Sequence, residues 1–272
     1  MKQWKMEDVA WSAFDPTKVD PDMLKLAKAA SLVEYNAGDY AAYLAHVFHD
    51  DQDFQSAAVE WAAEEVQHGK ALARWARMAD PDFDFDDCFQ RFSNEIKLPI
   101  GTEDSVRGSR TGELIARCIV EVGTSSYYSA LASATDEPVL REICTRIAED
   151  EIRHFKLFRR TMERYQPDER PGLITRIRVV LDRLNETDDD ELAYAYYAAN
   201  HSGDGPYERA LYGDAYKSRA YSYYRHDHVQ RMVAMIFKAI GLKPTGLLSR
   251  LMARIGFNTM RRRVRRLSAV SV

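Results

Sequence analysis

Two short stretches carry residue types that can do chemistry together. Trp61-Ala62-Ala63-Glu64-Glu65-Val66-Gln67-His68 and Ile147-Ala148-Glu149-Asp150-Glu151-Ile152-Arg153-His154 each contain a Glu-x-x-His step. On a helix, residues three apart sit one above the other. Glu65 with His68, and Glu151 with His154, therefore each present a carboxylate and an imidazole on one face. A lone glutamate on the previous apolar segment precedes each step: Glu34 lies 31 residues before Glu65, and Glu121 lies 30 before Glu151. One Glu from each of two helices and Glu-x-x-His from each of two others form the ligand set of a dinuclear carboxylate metal centre in a four-helix bundle. Hard carboxylate oxygens with one imidazole per metal suit iron or manganese, as two irons or a mixed pair, and the lack of thiolates argues against structural zinc. Such a centre activates dioxygen or a peroxide.

Any one of the 42 acidic residues is more simply read as a solvated helix charge. The matched set is not. Glu121 has Cys118 and Thr124 as its neighbours three residues either side, on what should be a core face, and a buried, unpaired carboxylate is costly unless something such as a metal compensates it. Each Glu-x-x-His glutamate can bridge both ions, and Asp150 and Glu64, next to them, are placed to accept the free ring N–H of a ligand histidine, with plain surface charge as the alternative. Gly38 and Gly123 sit inside helical segments, where glycine costs about 1 kcal/mol. Either room beside the metals or close helix contact would explain them. Leu72 and Phe158 stand four residues after the two histidines, so no tyrosine is expected beside the metals on the second helix. His46, His49, His201, His226 and His228 have no matched partners and read as surface or structural.

The elements that must position these groups are legible. Asp20-Pro21 starts a helix A that runs to about His49; helix B runs from about Phe54 to Met78, helix C from about Thr111 to Ala134, and helix D from about Val139 to Tyr165. Asp50–Asp53 and Asp136-Glu137-Pro138 are tight turns. Residues 80 to 110 form a long crossover with a short helix near Asp86 to Glu95, and Pro99, Gly101, Gly108 and Gly112 punctuate the loop that follows. Two short hairpins joined by a long B-to-C crossover define the ferritin-like topology. At the ~1.5 Å helical rise, Glu34 and Glu65 lie about 25 and 21 Å from their shared turn, and Glu121 and Glu151 about 22 Å from theirs, so all four fall near one level.

Further helices are expected near 173 to 186, 189 to 200, 206 to 240 and 246 to 267, with a loop over Asn200–Pro206. The reading is all-α: a single ferritin-like domain over 1–272, with a di-metal bundle at about 20–166 and a C-terminal helical extension at about 171–268.

The chain has 272 residues, 46% hydrophobic and 29% charged, ordinary for a globular protein. No apolar run reaches the ~18 residues of a membrane span, and no signal peptide is evident, so a cytoplasmic location is expected. Cys88, Cys118 and Cys144 are odd in number without a Cys-x-x-Cys, and are expected to be reduced core residues. No phosphate-binding glycine loop is present, and no nucleic-acid partner is expected. From Lys243 onward there are eight Lys or Arg and no acid, which leaves −12 on residues 1 to 242 of a chain whose net charge is −4. A basic tail on an acidic body suggests a partner of its own.

At Trp61-x-Ala63-Glu64-Glu65-x-x-His68-Gly69, Glu121-x-x-Thr124 and Ile143-Cys144-x-x-Ile147-Ala148-x-Asp150-Glu151-x-Arg153-His154, the sequence resembles the ferritin-like di-iron superfamily. Within it, the soluble acyl-carrier-protein desaturases are the most similar. The resemblance covers roughly residues 30 to 165. It implies Glu34, Glu65 and His68 on one iron and Glu121, Glu151 and His154 on the other, with Glu65 and Glu151 bridging. It further implies Thr124 beside the oxygen site and Asp150 as the hydrogen-bond partner of His68. The expected function is an oxygen-activating di-iron oxidoreductase that desaturates or hydroxylates an apolar, acyl-type substrate. Electrons would come from an external ferredoxin or reductase, because no flavin, nicotinamide or iron-sulfur motif is present. An acidic carrier protein at the basic tail and a homodimer are the further partners considered. The alternatives are a rubrerythrin-like peroxidase and an iron-storage protein.

Overall fold

The computed structural model describes residues 3–97, 101–186, 190–201 and 205–268. Pro99, residues 202–204 of the expected loop and the tail beyond 268 lie outside them. Among the described residues there is no strand. The bundle consists of α1 (Pro21–Tyr35) and α2 (Ala37–Val47), α3 (Gln52–Ala79), α5 (Arg110–Ala134) and α6 (Pro138–Glu169), with α4 (Phe85–Glu95) inside the crossover. Side-chain caps start these helices: Asp20 accepts from Asp22 and Met23, Asp51 from Phe54, Ser109 from Gly112, and Glu137 from Leu140. Glu137 is fully buried and also accepts from the Trp75 indole at 2.7 Å, which ties the start of α6 to α3.

Three expected boundaries are corrected. Helix A is not continuous: Asn36 (φ −79°, ψ 6°) leaves the helical region and splits it into α1 and α2, immediately after Glu34 and Tyr35. A close approach accompanies the break, since a Cβ on Gly69 of α3 would stand 2.7 Å from the Tyr35 backbone N and 2.9 Å from the Ser31 carbonyl oxygen. The segment 206 to 240 is also two helices, α9 (Arg209–Ser222) and α10 (His226–Ala239), because Arg225 is extended between them. Finally, α6 runs on through Pro167 to Glu169, whose carboxylate accepts from the backbone N–H groups of Arg110 and Thr111 at 3.0 and 2.6 Å. The extra turn satisfies donors left over at the start of α5.

The remaining helices α7 (Leu173–Glu186), α8 (Asp190–Asn200), α9 and α10 share the bundle's core, and α11 (Leu247–Ser268) packs on α10 through a separate cluster of Ala253 with Val229, Val233 and Phe237. Ala195, Tyr196 and Ala220 join the cluster around Leu26 and Trp75, and Val179, Val180 and Ile236 join the one around Leu114 and Phe158. The N-terminal segment forms three 3₁₀ turns and is strapped across α3 and α6. Gln67 donates to the Trp4 carbonyl, Ala10 N–H to Glu142, and Asp15 N–H to Glu137. All three cysteines are free and buried. No described helix is long and apolar enough to cross a membrane.

Candidate metal centre

Glu34 lies in the last turn of α1, Glu65 and His68 lie on α3, Glu121 on α5, and Glu151 and His154 on α6. All six are buried, His68 fully so. Their donor atoms gather into two groups, Glu34 with Glu65, His68 and Glu151, and Glu65 with Glu121, Glu151 and His154, each spanning no more than 4.8 Å. Glu65 and Glu151 belong to both groups.

Both imidazoles turn Nδ1 inward. His68 Nδ1 is 2.8 Å from Glu65 and 3.4 Å from Glu151; His154 Nδ1 is 3.0 Å from Glu65 and 3.5 Å from Glu121. The outward nitrogens each meet a carboxylate, Asp150 at 3.0 Å from His68 Nε2 and Glu64 at 2.8 Å from His154 Nε2. The two candidates for orienting histidines thus sit where that role requires, one per ring. Arg153 holds both acids, donating to Glu64 at 3.0 Å and to Asp150 at 2.5 Å. Thr124 donates to Glu151 at 2.6 Å.

Two residues that the motifs missed complete the shell. Trp4 donates its indole N–H to Asp150 at 2.7 Å and stacks parallel to His68 with ring centroids 6.1 Å apart. Tyr128 donates its hydroxyl to Glu34 at 2.5 Å. Tyr128 lies two helical turns after Glu121, so the periodicity of α5 could have flagged it; nothing periodic points to Trp4. The tyrosine beside the cage is on α5.

Electrostatics within the cage are in conflict when only protein groups are counted. Burial pushes Glu34 and Glu121 well above the usual carboxylate range, and neighbouring carboxylates push the same way. Burial opposes the charge on Glu65 too, but His154 and His68 outweigh it and hold Glu65 well below that range. Both histidines are driven well above their ordinary value: burial disfavours their charge, yet Glu65 and the surrounding hydrogen bonds prevail. Both oxygens of Glu121, Glu151 Oε1 and His154 Nδ1 have no hydrogen-bond partner. Four carboxylates crowded into a dry interior with orphaned, convergent lone pairs fit divalent cations, which would bind those lone pairs and cancel the repulsion.

A fatty acid desaturase family model matches residues 38–183, more than half of the chain. The chain belongs to the fatty acid desaturase family. The match contains Glu65, His68, Glu121, Glu151 and His154, and begins four residues after Glu34. No curated protein matches the chain at a significant level. Family membership and the cage together point to a desaturase-like or oxygenase-like oxidoreductase with a metal site compatible with two irons.

Proposed function

We propose that this chain is a di-iron, oxygen-dependent oxidoreductase that desaturates or hydroxylates an acyl chain, built as one unit around the cage. Glu34, Glu65 and His68 would hold one iron, and Glu121, Glu151 and His154 the other. The observation that carries this reading is that Glu65 and Glu151 are common to both donor groups, as two bridging carboxylates must be. The irons, when bound, supply the activation of dioxygen.

The chain's own residues do the rest. Asp150 and Glu64 accept the Nε2 protons, which keeps each Nδ1 lone pair free for ligation. Thr124 holds a hydroxyl proton on Glu151, and Tyr128 holds one on Glu34. Buried Cys118, Ile119, Ile147 and Phe155, all within one helical turn of a ligand in sequence, help keep bulk water out. Trp4, Asp150 and His68 form a hydrogen-bonded line inward from the N-terminal strap, and it is along this line that electrons from an external ferredoxin or reductase would arrive.

The family match supports this reading over a peroxidase or an iron store. An acidic carrier at α11 is favoured by a separate observation. Leu247, Leu248, Leu251, Met252 and Ile255 are exposed, in a helix with many arginines and no acidic residue. The deciding experiment is to load the protein with iron, supply a reductase system, dioxygen and a saturated acyl substrate, and analyse the product by mass spectrometry. A loss of two mass units or a gain of sixteen is expected. Oxygen consumption without any change in the acyl chain, alongside rapid peroxide turnover, would replace this reading with the peroxidase.

A further inference from the structure

The bundle is not equally tight on all sides. α5 packs closely along α6, and α1 and α2 along α3, whereas α1 and α2 reach α5 chiefly through long side chains. Tyr128 bonds to Glu34, Tyr43 to Glu113, and Arg117 lies over the Tyr40 ring at 5.0 Å. A Cβ added at half-buried Gly123 would meet nothing within 4 Å, so there is space beside Glu121 and not close helix contact, whereas Gly38 simply faces solvent.

A cavity of about 500 Å³ opens near this side, with five basic and four acidic side chains in its wall. Arg117 is the basic group on α5, one turn before Glu121, and only 6% exposed. It is ion-paired with the buried Glu113 carboxylate at 3.5 Å, but that contact is not a hydrogen bond and leaves Nε–H without an acceptor. Glu113 instead accepts from the hydroxyls of Tyr43 and Ser105, each at 2.8 Å, and Glu191 accepts from Tyr40 at 2.9 Å. A guanidinium this deeply buried is costly unless an anion meets its donors, and its planar fork suits a carboxylate or phosphate.

We propose that this cavity takes the anionic end of the acyl substrate, a carboxylate or phosphate held by Arg117, with the chain directed along α5 toward Glu121 and Thr124. Seven residues separate Arg117 from Thr124, about 10 Å of helix, so the anchored end and the oxidised carbons are distinct parts of one molecule. The proposal rests on the acyl-oxidising function above and adds the chemistry of the substrate's other end.

The test is equilibrium binding to the full-length protein by titration calorimetry, with dodecanoic acid, dodecyl phosphate and methyl dodecanoate. At least one of the two anions should bind about tenfold or more tightly than the neutral ester, the value of a charge-assisted hydrogen bond. Preference for the acid identifies a carboxylate end, and preference for the phosphate identifies a phosphorylated one. Arg117→Gln should abolish the preference while leaving ester binding unchanged. Equal binding of all three by the wild-type protein overturns the proposal, and that comparison stands even where Arg117→Gln does not fold. An equal loss for all three in a folded variant also overturns it. Arg117-dependent binding without any oxidised product would retain the anion site and reject the acyl-oxidising function.

Discussion

Trp4 and Asp150, 146 residues apart in the chain, are joined by a 2.7 Å hydrogen bond from indole to carboxylate. The same carboxylate oxygen meets His68 Nε2 at 3.0 Å, so the N-terminal strap is wired to a candidate ligand through one atom. Trp4→Phe keeps an aromatic ring over His68 and removes only this donor. Iron content should stay near wild type while reduction by an added ferredoxin system slows. Unchanged reduction kinetics would sever the strap from electron delivery. Asp150→Ala, which frees His68 to rotate and change tautomer, should lower iron affinity about 10- to 100-fold by elemental analysis after dialysis.

Thr124→Val keeps the shape and removes the hydroxyl that donates to Glu151. Turnover should fall at least tenfold with iron stoichiometry preserved, and the melting temperature should move by only a few degrees, since one hydrogen bond is worth about 1 kcal/mol. Wild-type turnover in a fully loaded Thr124→Val protein would remove the hydroxyl from the mechanism.

The glycines next to the cage should respond in opposite ways. In Gly69→Ala the new methyl meets backbone atoms of α1, which cannot swing aside as a side chain can, and must push Glu34 away from Glu65 and His68. A loss of about 1–3 kcal/mol, the usual cost of overpacking, should be accompanied by weaker iron binding. Gly123→Ala has open space and a better helix former, so it should be neutral or up to about 1 kcal/mol more stable. Denaturant titration of the two variants side by side checks both signs.

A pH effect should arise away from the cage, at His228. Its Nδ1 accepts from the Arg225 N–H at 3.2 Å and its Nε2 faces Ser133 at 3.3 Å, an arrangement that requires the neutral ring. Burial, reinforced by Arg231 and Arg225 and opposed by Asp227, lowers its pKa below the ordinary 6.5. Below pH 6.5 the unfolded chain takes up the proton first, so this contribution is complete above 6.5 and is lost as pH falls toward the folded value. The melting temperature should drop between pH 7 and 5 by more in the wild type than in His228→Gln. Parallel pH profiles would contradict the assignment.

Replacing Arg261, Arg262, Arg265 and Arg266 by Gln should weaken binding of an acidic carrier at low salt and leave iron content intact. Screening over about 8 Å at physiological ionic strength should erase most of the difference. Binding indifferent to both salt and arginines would exclude α11 as the docking site.

The cage was legible in the amino-acid sequence because its parts are local. A Glu-x-x-His step needs only the helical repeat to align its two groups, and similar distances from two tight turns bring Glu34, Glu65, Glu121 and Glu151 within about one turn of a common level whatever surrounds them. The all-helical architecture and the long crossover followed from the same periodicity and from the proline and aspartate signals at the turns. What only the tertiary structure decided depends on how the helices are rotated about their axes and on contacts distant in sequence. Asp150 and Glu64 could equally have been surface charges until α3 and α6 were set face to face, each offering its carboxylate to the other helix's histidine. The break at Asn36 lacks proline, and it became apparent only where α1 meets the bare backbone of Gly69. Trp4 lies in a segment of short turns with no repeat to read, and its place beside His68 comes from hydrogen bonds to α3 and α6, which no local spacing encodes.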